Sequence, residues 1–88
     1  MDIQFDAAKN EANIAKHGVS LALAGELEWE TALVREDARH DYGETRWTAI
    51  GYVGARLYVV VYVERDGAMR IVSMRKANSR EVKSYAET

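Results

Sequence analysis

The run at residues 57–63 restricts the fold of this 88-residue chain more than any other feature, because nearly every position in it is apolar. A strand with that pattern is covered on both faces and lies at the centre of a sheet. The run is far shorter than the roughly 20 apolar residues that a membrane helix needs. It therefore predicts a central β-strand, and we expect no association with a membrane.

Turn sequences on both sides of this run predict antiparallel neighbours. Gly54-Ala55 precedes it and Arg65-Asp66-Gly67 follows it, and both are ordinary hairpin signals. The predicted strands cover residues 31–35, 46–53, 57–64 and 69–75, with a loop over 38–44 and room for one more short strand at 3–5.

Helical periodicity predicts two helices before the strands and one after them. The first is expected between a cap at Asp6 and a stop at Gly18, and the second between a cap at Ser20 and Trp29. The third begins at Asn78, three residues before a glutamate, as in a capping box. The side chains expected to be buried are Ala8, Ala12 and Ala15, then Leu23 and Leu27 with Leu21 as a further candidate, then Val82, Tyr85 and Ala86. The order predicts a single α+β domain over residues 1–88, with an antiparallel sheet of about four strands.

Composition excludes several classes of protein. Hydrophobic residues make up 48% and charged residues 30%, as in ordinary globular domains. The absence of cysteine excludes disulfides and thiolate zinc sites. No Gly-rich phosphate loop, nucleophile elbow or histidine-pair metal motif is present, so we expect neither a cofactor nor a metal. The first residues do not resemble a signal peptide, and the expected location is the cytoplasm.

Charge is polarised along the chain although the total is only −2. Residues 70–83 carry four more positive than negative charges, and residues 26–44 carry five more negative than positive charges. A chain polarised in this way can present an anion-binding face and a separate acidic surface, or simply two solvated faces.

The basic segment places cations at a junction between a strand and a helix. The last predicted strand contains Arg70 and Arg75 and is followed directly by Lys76. Arg80 opens the next helix, where backbone N–H groups are free. Guanidinium groups match phosphate oxygens, so this junction is a candidate phosphate site. Strict alternation puts Arg70 and Arg75 on opposite faces, and a bulge or twist would be needed to unite them. The alternative is that Arg75 and Arg80 pair with glutamates, and the candidate partners are Glu64, Glu81 and Glu44.

Three blocks of residues, in order over residues 3–87, carry a resemblance to a known family. They are Phe5-Asp6-x-x-Lys9-Asn10-x-x-Asn13-x-x-Lys16-His17-Gly18-Val19, then Asp41-x-Gly43-Glu44-x-Arg46-x-x-x-Ile50-Gly51, then Val59-Val60-Val61-Tyr62 with Arg70-Ile71-Val72-Ser73-Met74-Arg75-Lys76-Ala77 and Arg80-Glu81-x-x-x-Tyr85. They resemble the BrnT family of type II toxin–antitoxin ribonuclease toxins. The resemblance implies a RelE-like fold, RNA cleavage that blocks translation, and neutralisation by a ribbon-helix-helix antitoxin encoded alongside. It also implies that operator DNA is bound only indirectly, through the antitoxin.

Metal-free RNA cleavage requires a base for the 2′-OH proton, a cation for the phosphorane and an acid for the 5′-oxygen. We assign the stabilising cations to Arg75 and Arg80, with Arg46 next. The candidate bases are Glu64, Glu44 and His17, in that order. The residues expected to hold the RNA backbone are Lys16, Arg70, Lys76 and Lys83.

The competing interpretation is a non-catalytic module that docks an antitoxin-like partner. In that case the arginine cluster would bind acidic side chains, and no RNA would be cleaved. Under either interpretation, the acidic surface at residues 26–44 would attract a basic segment of the antitoxin. Direct binding of DNA by this chain is disfavoured, because no helix-turn-helix pattern is present.

Overall fold

A computed structural model describes residues 2–37 and 43–88 of the chain. Its elements are β1 (Ile3–Gln4), α1 (Ala7–His17), two 3-10 helices (Leu21–Glu26 and Trp29–Thr31), β2 (Leu33–Asp37), β3 (Arg46–Val53), β4 (Arg56–Arg65), β5 (Ala68–Lys76) and α2 (Ser79–Ala86). The strands form one sheet in the order β1-β5-β4-β3-β2, so the apolar run lies in its middle strand as predicted. No helix in the described ranges has the length and apolar character to cross a membrane. Most of the predicted loop, residues 38–42, lies outside those ranges.

The α+β class is confirmed, but the strand count and the second helix differ from the prediction. The sheet has five strands, and β1 makes it mixed because it pairs parallel with β5. The second predicted helix is two short 3-10 helices instead of one α-helix. Ser20 caps the first of them as expected. Two features explain why a longer α-helix does not form. The indole N–H of Trp29 donates to the Ala24 carbonyl at 3.0 Å and helps to turn the chain, and Gly25 has a low helix propensity.

The core lies between one face of the sheet, called here the core face, and the segment formed by α1 and the first 3-10 helix. Its largest fully buried side chains are Leu21, Val60, Ile71 and Met74. The predicted alanine stripe of α1 is wrong, since Ala8, Ala12 and Ala15 are all exposed.

Asn13 is the residue that attaches α1 to the sheet. Its amide nitrogen donates to the carbonyl oxygens of Val19 and Met74, each at 2.8 Å, and its amide oxygen accepts the Met74 N–H at 3.2 Å. Among the described strands, none pairs with this edge of β5 beyond β1. A buried side-chain amide therefore takes the place of a neighbouring strand.

The second face of the sheet, called here the open face, is covered by α2 at one end and by nothing else among the described residues. Tyr85 packs edge-on against Tyr52 with ring centroids 5.5 Å apart, and its hydroxyl donates to the Thr31 carbonyl at 2.8 Å. The predicted burial of Val82 and Ala86 is wrong, because both are exposed. The short α2 uses one aromatic anchor and leaves most of the open face uncovered.

Candidate functional site

A β-bulge in β5 brings Arg70 and Arg75 to the same face of the sheet. Val61 pairs with Ser73 but Tyr62 pairs with Ile71, so Val72 is an extra residue opposite β4. Arg70 and Arg75 pair with Val63 and Val59, which both lie on the open face. The bulge that strict alternation required is therefore present. The two pairing positions are four residues apart on β4, which separates the arginines by about 13 Å along the strand.

Glu81 holds the guanidinium of Arg75 through two parallel hydrogen bonds. Both N–H···O distances are 2.8 Å, and the Glu81 carboxylate also accepts the Asn78 N–H at 2.9 Å to complete the predicted capping box. The hydrogen bonds from Arg75 lower the pKa of Glu81, with a smaller lowering from Asn78. The pairing of Arg75 with a glutamate, raised as an alternative above, is thus observed. The Arg75 side chain stays 38% exposed, so solutes can still reach it.

Two concavities on the open face meet at Ser73 and together form what we call the basic groove. The larger, of about 550 Å³, is lined by Leu33, Arg35, Glu36, Asp37, Thr48, Ile50, Val59, Val61, Ser73, Arg75, Glu81 and Ser84. The smaller, of about 320 Å³, is lined by Lys9, Ala12, Asn13, Lys16, His17, Arg46, Val72 and Ser73. Cations from α1, β2, β3 and β5 thus border the two concavities, and the carboxylates of Glu36, Asp37 and Glu81 also border the larger one. The ionisable side chains that line the smaller concavity are all basic, which suits the binding of phosphate groups.

Of the three candidate bases, the structure places only His17 in the basic groove. Glu64 pairs with Met69 and lies on the core face, so β4 itself separates it from Arg75. Glu44 bonds to Arg65 at 2.6 Å, and both side chains are exposed. His17 ends α1 beside Arg46. The geometry therefore favours His17, the last of the three candidate bases, over Glu64 and Glu44.

The predicted cations divide into two groups. Arg46 and Lys16 line the groove, and the bulge adds Arg70 to the same face. The second group lies outside the groove. Lys76 pairs with Tyr58 and lies on the core face, as Met74 does. Arg80 and Lys83 are exposed on α2 and line neither concavity. Arg75 and Arg80, predicted to act together at the strand–helix junction, do not line a common concavity.

Sequence reasoning missed two cations of the groove, Lys9 and Arg35. The first could have been found, because Lys9, Asn13 and Lys16 have the i, i+4, i+7 spacing of one helix face. Arg35 pairs with Thr48, and only the register of β2 against β3 shows that it faces the groove. In the described part of the chain no group of three His, Asp or Glu side chains is arranged to hold a metal ion.

Comparison with protein families identifies the chain. A family model described as "Ribonuclease toxin, BrnT, of type II toxin-antitoxin system" matches residues 5–81. The chain belongs to the BrnT family. All groove residues except Ser84 fall within the match, and the resemblance carried by the three sequence blocks is confirmed. A search of curated proteins finds no match. Membership of the BrnT family makes this chain the toxin of a toxin–antitoxin pair and implies an antitoxin partner.

Proposed function

We propose that this chain is an endoribonuclease that cleaves RNA in the basic groove without a metal ion and thereby inhibits translation. The observation that carries the proposal is the groove itself, in which cations from four elements surround a surface that α2 leaves uncovered. Family membership supplies the reaction class, and the groove supplies a place for the substrate. A ribbon-helix-helix antitoxin would neutralise the enzyme and bind operator DNA for the pair.

The chemistry can be distributed over side chains of the groove. His17 would take the proton of the 2′-hydroxyl, whose oxygen attacks the phosphorus while the bond to the 5′-oxygen breaks. The products would be a 2′,3′-cyclic phosphate and a 5′-hydroxyl, with the 5′-oxygen taking its proton from solvent water and His17 returning its own proton to the solvent. Arg46 and Arg75 would stabilise the negative charge of the phosphorane, as fixed donors do at an oxyanion. Arg70 and Lys16 would hold the RNA backbone.

Glu81 would act on Arg75 and not on the substrate. The planar fork of an arginine is fixed by two parallel bonds to a carboxylate, which restricts its orientation. Arg80, Lys76 and Lys83 remain predicted RNA contacts on the flank of the molecule. Glu64 has no part in this proposal, because it lies on the other face of the sheet.

The test is cleavage of total RNA by the purified chain in the presence of EDTA. We expect Arg46→Ala and Arg75→Ala to lower the rate by about 10²–10³ if each arginine acts as a preorganised donor to the transition state. Arg56→Ala is the matched control, since Arg56 is exposed at the start of β4. A requirement for a divalent metal, or equal rates for all three variants, would contradict the proposal.

The second candidate function is the non-catalytic module that docks an antitoxin. The observation that favours it is the occupation of the Arg75 fork by Glu81, which is what a purely structural arginine would also show. The two functions separate in one experiment on the folded wild-type chain. Antitoxin binding without cleavage of any RNA would establish the module, and cleavage with a cyclic phosphate product would exclude it.

A further inference from the structure

A second recessed surface lies on the side of the sheet away from the basic groove. Two hollows meet at Trp29, and we call them together the Trp29 surface. One, of about 370 Å³, is bordered by Val34, Tyr62, Glu64 and Met69; the other, of about 500 Å³, is bordered by Leu27, Glu28, Glu30 and Thr31. Nothing in the proposed chemistry uses these residues.

The floor of the Trp29 surface is apolar and fixed in place. The Trp29 indole packs edge-on against Tyr62, with ring centroids 5.5 Å apart, and its N–H is bonded to the Ala24 carbonyl. Beside it, Val34 leaves 42% of its surface exposed on the edge strand β2. A rigid aromatic floor next to an exposed aliphatic side chain is the kind of site in which a partner's side chain can be anchored.

The rim of the Trp29 surface is acidic. Glu28, Glu30 and Glu64 are exposed at its border, and no lysine or arginine is among the described residues that line either hollow. A rim of one charge sign selects a partner of the opposite sign and steers its approach. A basic segment would be attracted here and repelled by the cations of the basic groove.

We propose that the Trp29 surface docks a positively charged segment of the antitoxin, with an apolar side chain inserted between Trp29 and Val34. The proposal rests on the antitoxin partner that family membership implies and gives that partner a location and a chemistry. Because Val34 pairs with Ala49 on the core face and Arg75 faces the open side, docking uses none of the cations assigned to RNA. Antitoxin binding and RNA cleavage are therefore separable by mutation.

The test measures the affinity of the purified chain for its purified cognate antitoxin by titration calorimetry at low and high salt. We expect the double variant Glu28→Lys/Glu30→Lys to bind at least tenfold more weakly and to lose most of its salt dependence. The control is Glu11→Lys/Glu87→Lys, which makes the same change of net charge at exposed positions elsewhere. Equal affinities for the two double variants would overturn the proposal.

A second pair of variants probes the apolar part of the surface and guards against a folding artefact. Val34→Asp is expected to weaken antitoxin binding by tenfold or more, while Val34→Thr, which keeps the branched shape, retains most of it. Thermal melting shows whether both variants fold. RNA cleavage should be unchanged in both, and loss of antitoxin binding with cleavage intact supports the proposal. A further outcome would separate the two proposals. If the wild-type chain cleaves no RNA but its antitoxin binding depends on Val34, the proposed function is contradicted and the docking surface is supported.

Discussion

Replacing Glu81 separates two contributions that one carboxylate makes to stability. Its oxygens cap α2 by accepting the Asn78 N–H, and they hold the guanidinium of Arg75. Glu81→Gln keeps an acceptor for the cap, since glutamine serves at this position of a capping box, but it removes the charge. Glu81→Ala removes both interactions.

The magnitudes follow from the exposure of the pair. Arg75 is 38% exposed and Glu81 22%, so the ion pair contributes about 1 kcal/mol to the free energy of unfolding, well below the value for a buried charged hydrogen bond. Loss of a capping interaction costs about 1 kcal/mol more. In a domain of this size, each kcal/mol shifts the melting temperature by about 4–8 °C. Glu81→Gln should therefore lower the melting temperature by about 6 °C and Glu81→Ala by about 12 °C.

The assay is thermal melting followed by circular dichroism, at low salt and in 1 M NaCl. Salt screens the ion pair, so the difference between wild type and Glu81→Gln should shrink, while the difference between the Gln and Ala variants stays constant. Glu87→Gln, at the exposed end of α2, is the control and should melt like the wild type. If the Gln and Ala variants melt together at low salt, the division into a cap and an ion pair is refuted.

Three further predictions concern stability and are checked by urea or acid titration of the folded chain. Asn13→Ala should cost roughly 3 kcal/mol of unfolding free energy, because it leaves the buried N–H and C=O of Met74 without their partner; a loss below 1 kcal/mol would show that water replaces the amide. Gly51→Ala should lower the free energy of unfolding by about 1–3 kcal/mol, because the new Cβ would approach two neighbouring side chains to 3.1–3.2 Å. Gly25→Ala is the control and should be tolerated, because its nearest contact is at 3.4 Å. The lowered pKa of Glu81 means that its stabilisation is present above the pKa of the unfolded chain and is lost as the pH falls through the folded-state pKa. Glu81→Gln should accordingly lose less stability than the wild type on acidification, and an equal loss would contradict this assignment.

The sequence predicts the sheet well because its central strand carries its own signal. Continuous apolar character at residues 57–63 identifies β4, and the hairpin turns on both sides identify its neighbours. The capping box at Asn78 is equally local and is confirmed. Signals that involve residues a few positions apart depend on backbone geometry alone, so they can be read without knowing the fold.

The errors arise where tertiary contacts override local preference. The alanines of α1 predict an apolar contact, but the helix is fixed by the buried amide of Asn13, whose partner Met74 is 61 positions away in the sequence. Glu64 is the first of the candidate bases predicted from the sequence, but it lies on the other face of the sheet from Arg75, and only the pairing of β4 with β5 shows this. The position of the bulge in β5 is set by the pairing of β5 with β4, so it cannot be predicted from the identity of Val72.

The bulge at Val72 decides which face Arg70 occupies at the present length of β5. A strand that kept all its residues but lost the bulge would move every side chain before Val72 to the opposite face. Arg70 would then point into the core, and Met69 and Ile71 would face solvent. Deleting Val72 together with the bulge would instead restore strict alternation and leave Arg70 on the open face. Homologues that align through this segment without a gap therefore need the bulge to keep an open-face cation at this position, whereas homologues with a one-residue gap can keep the groove with a regular strand.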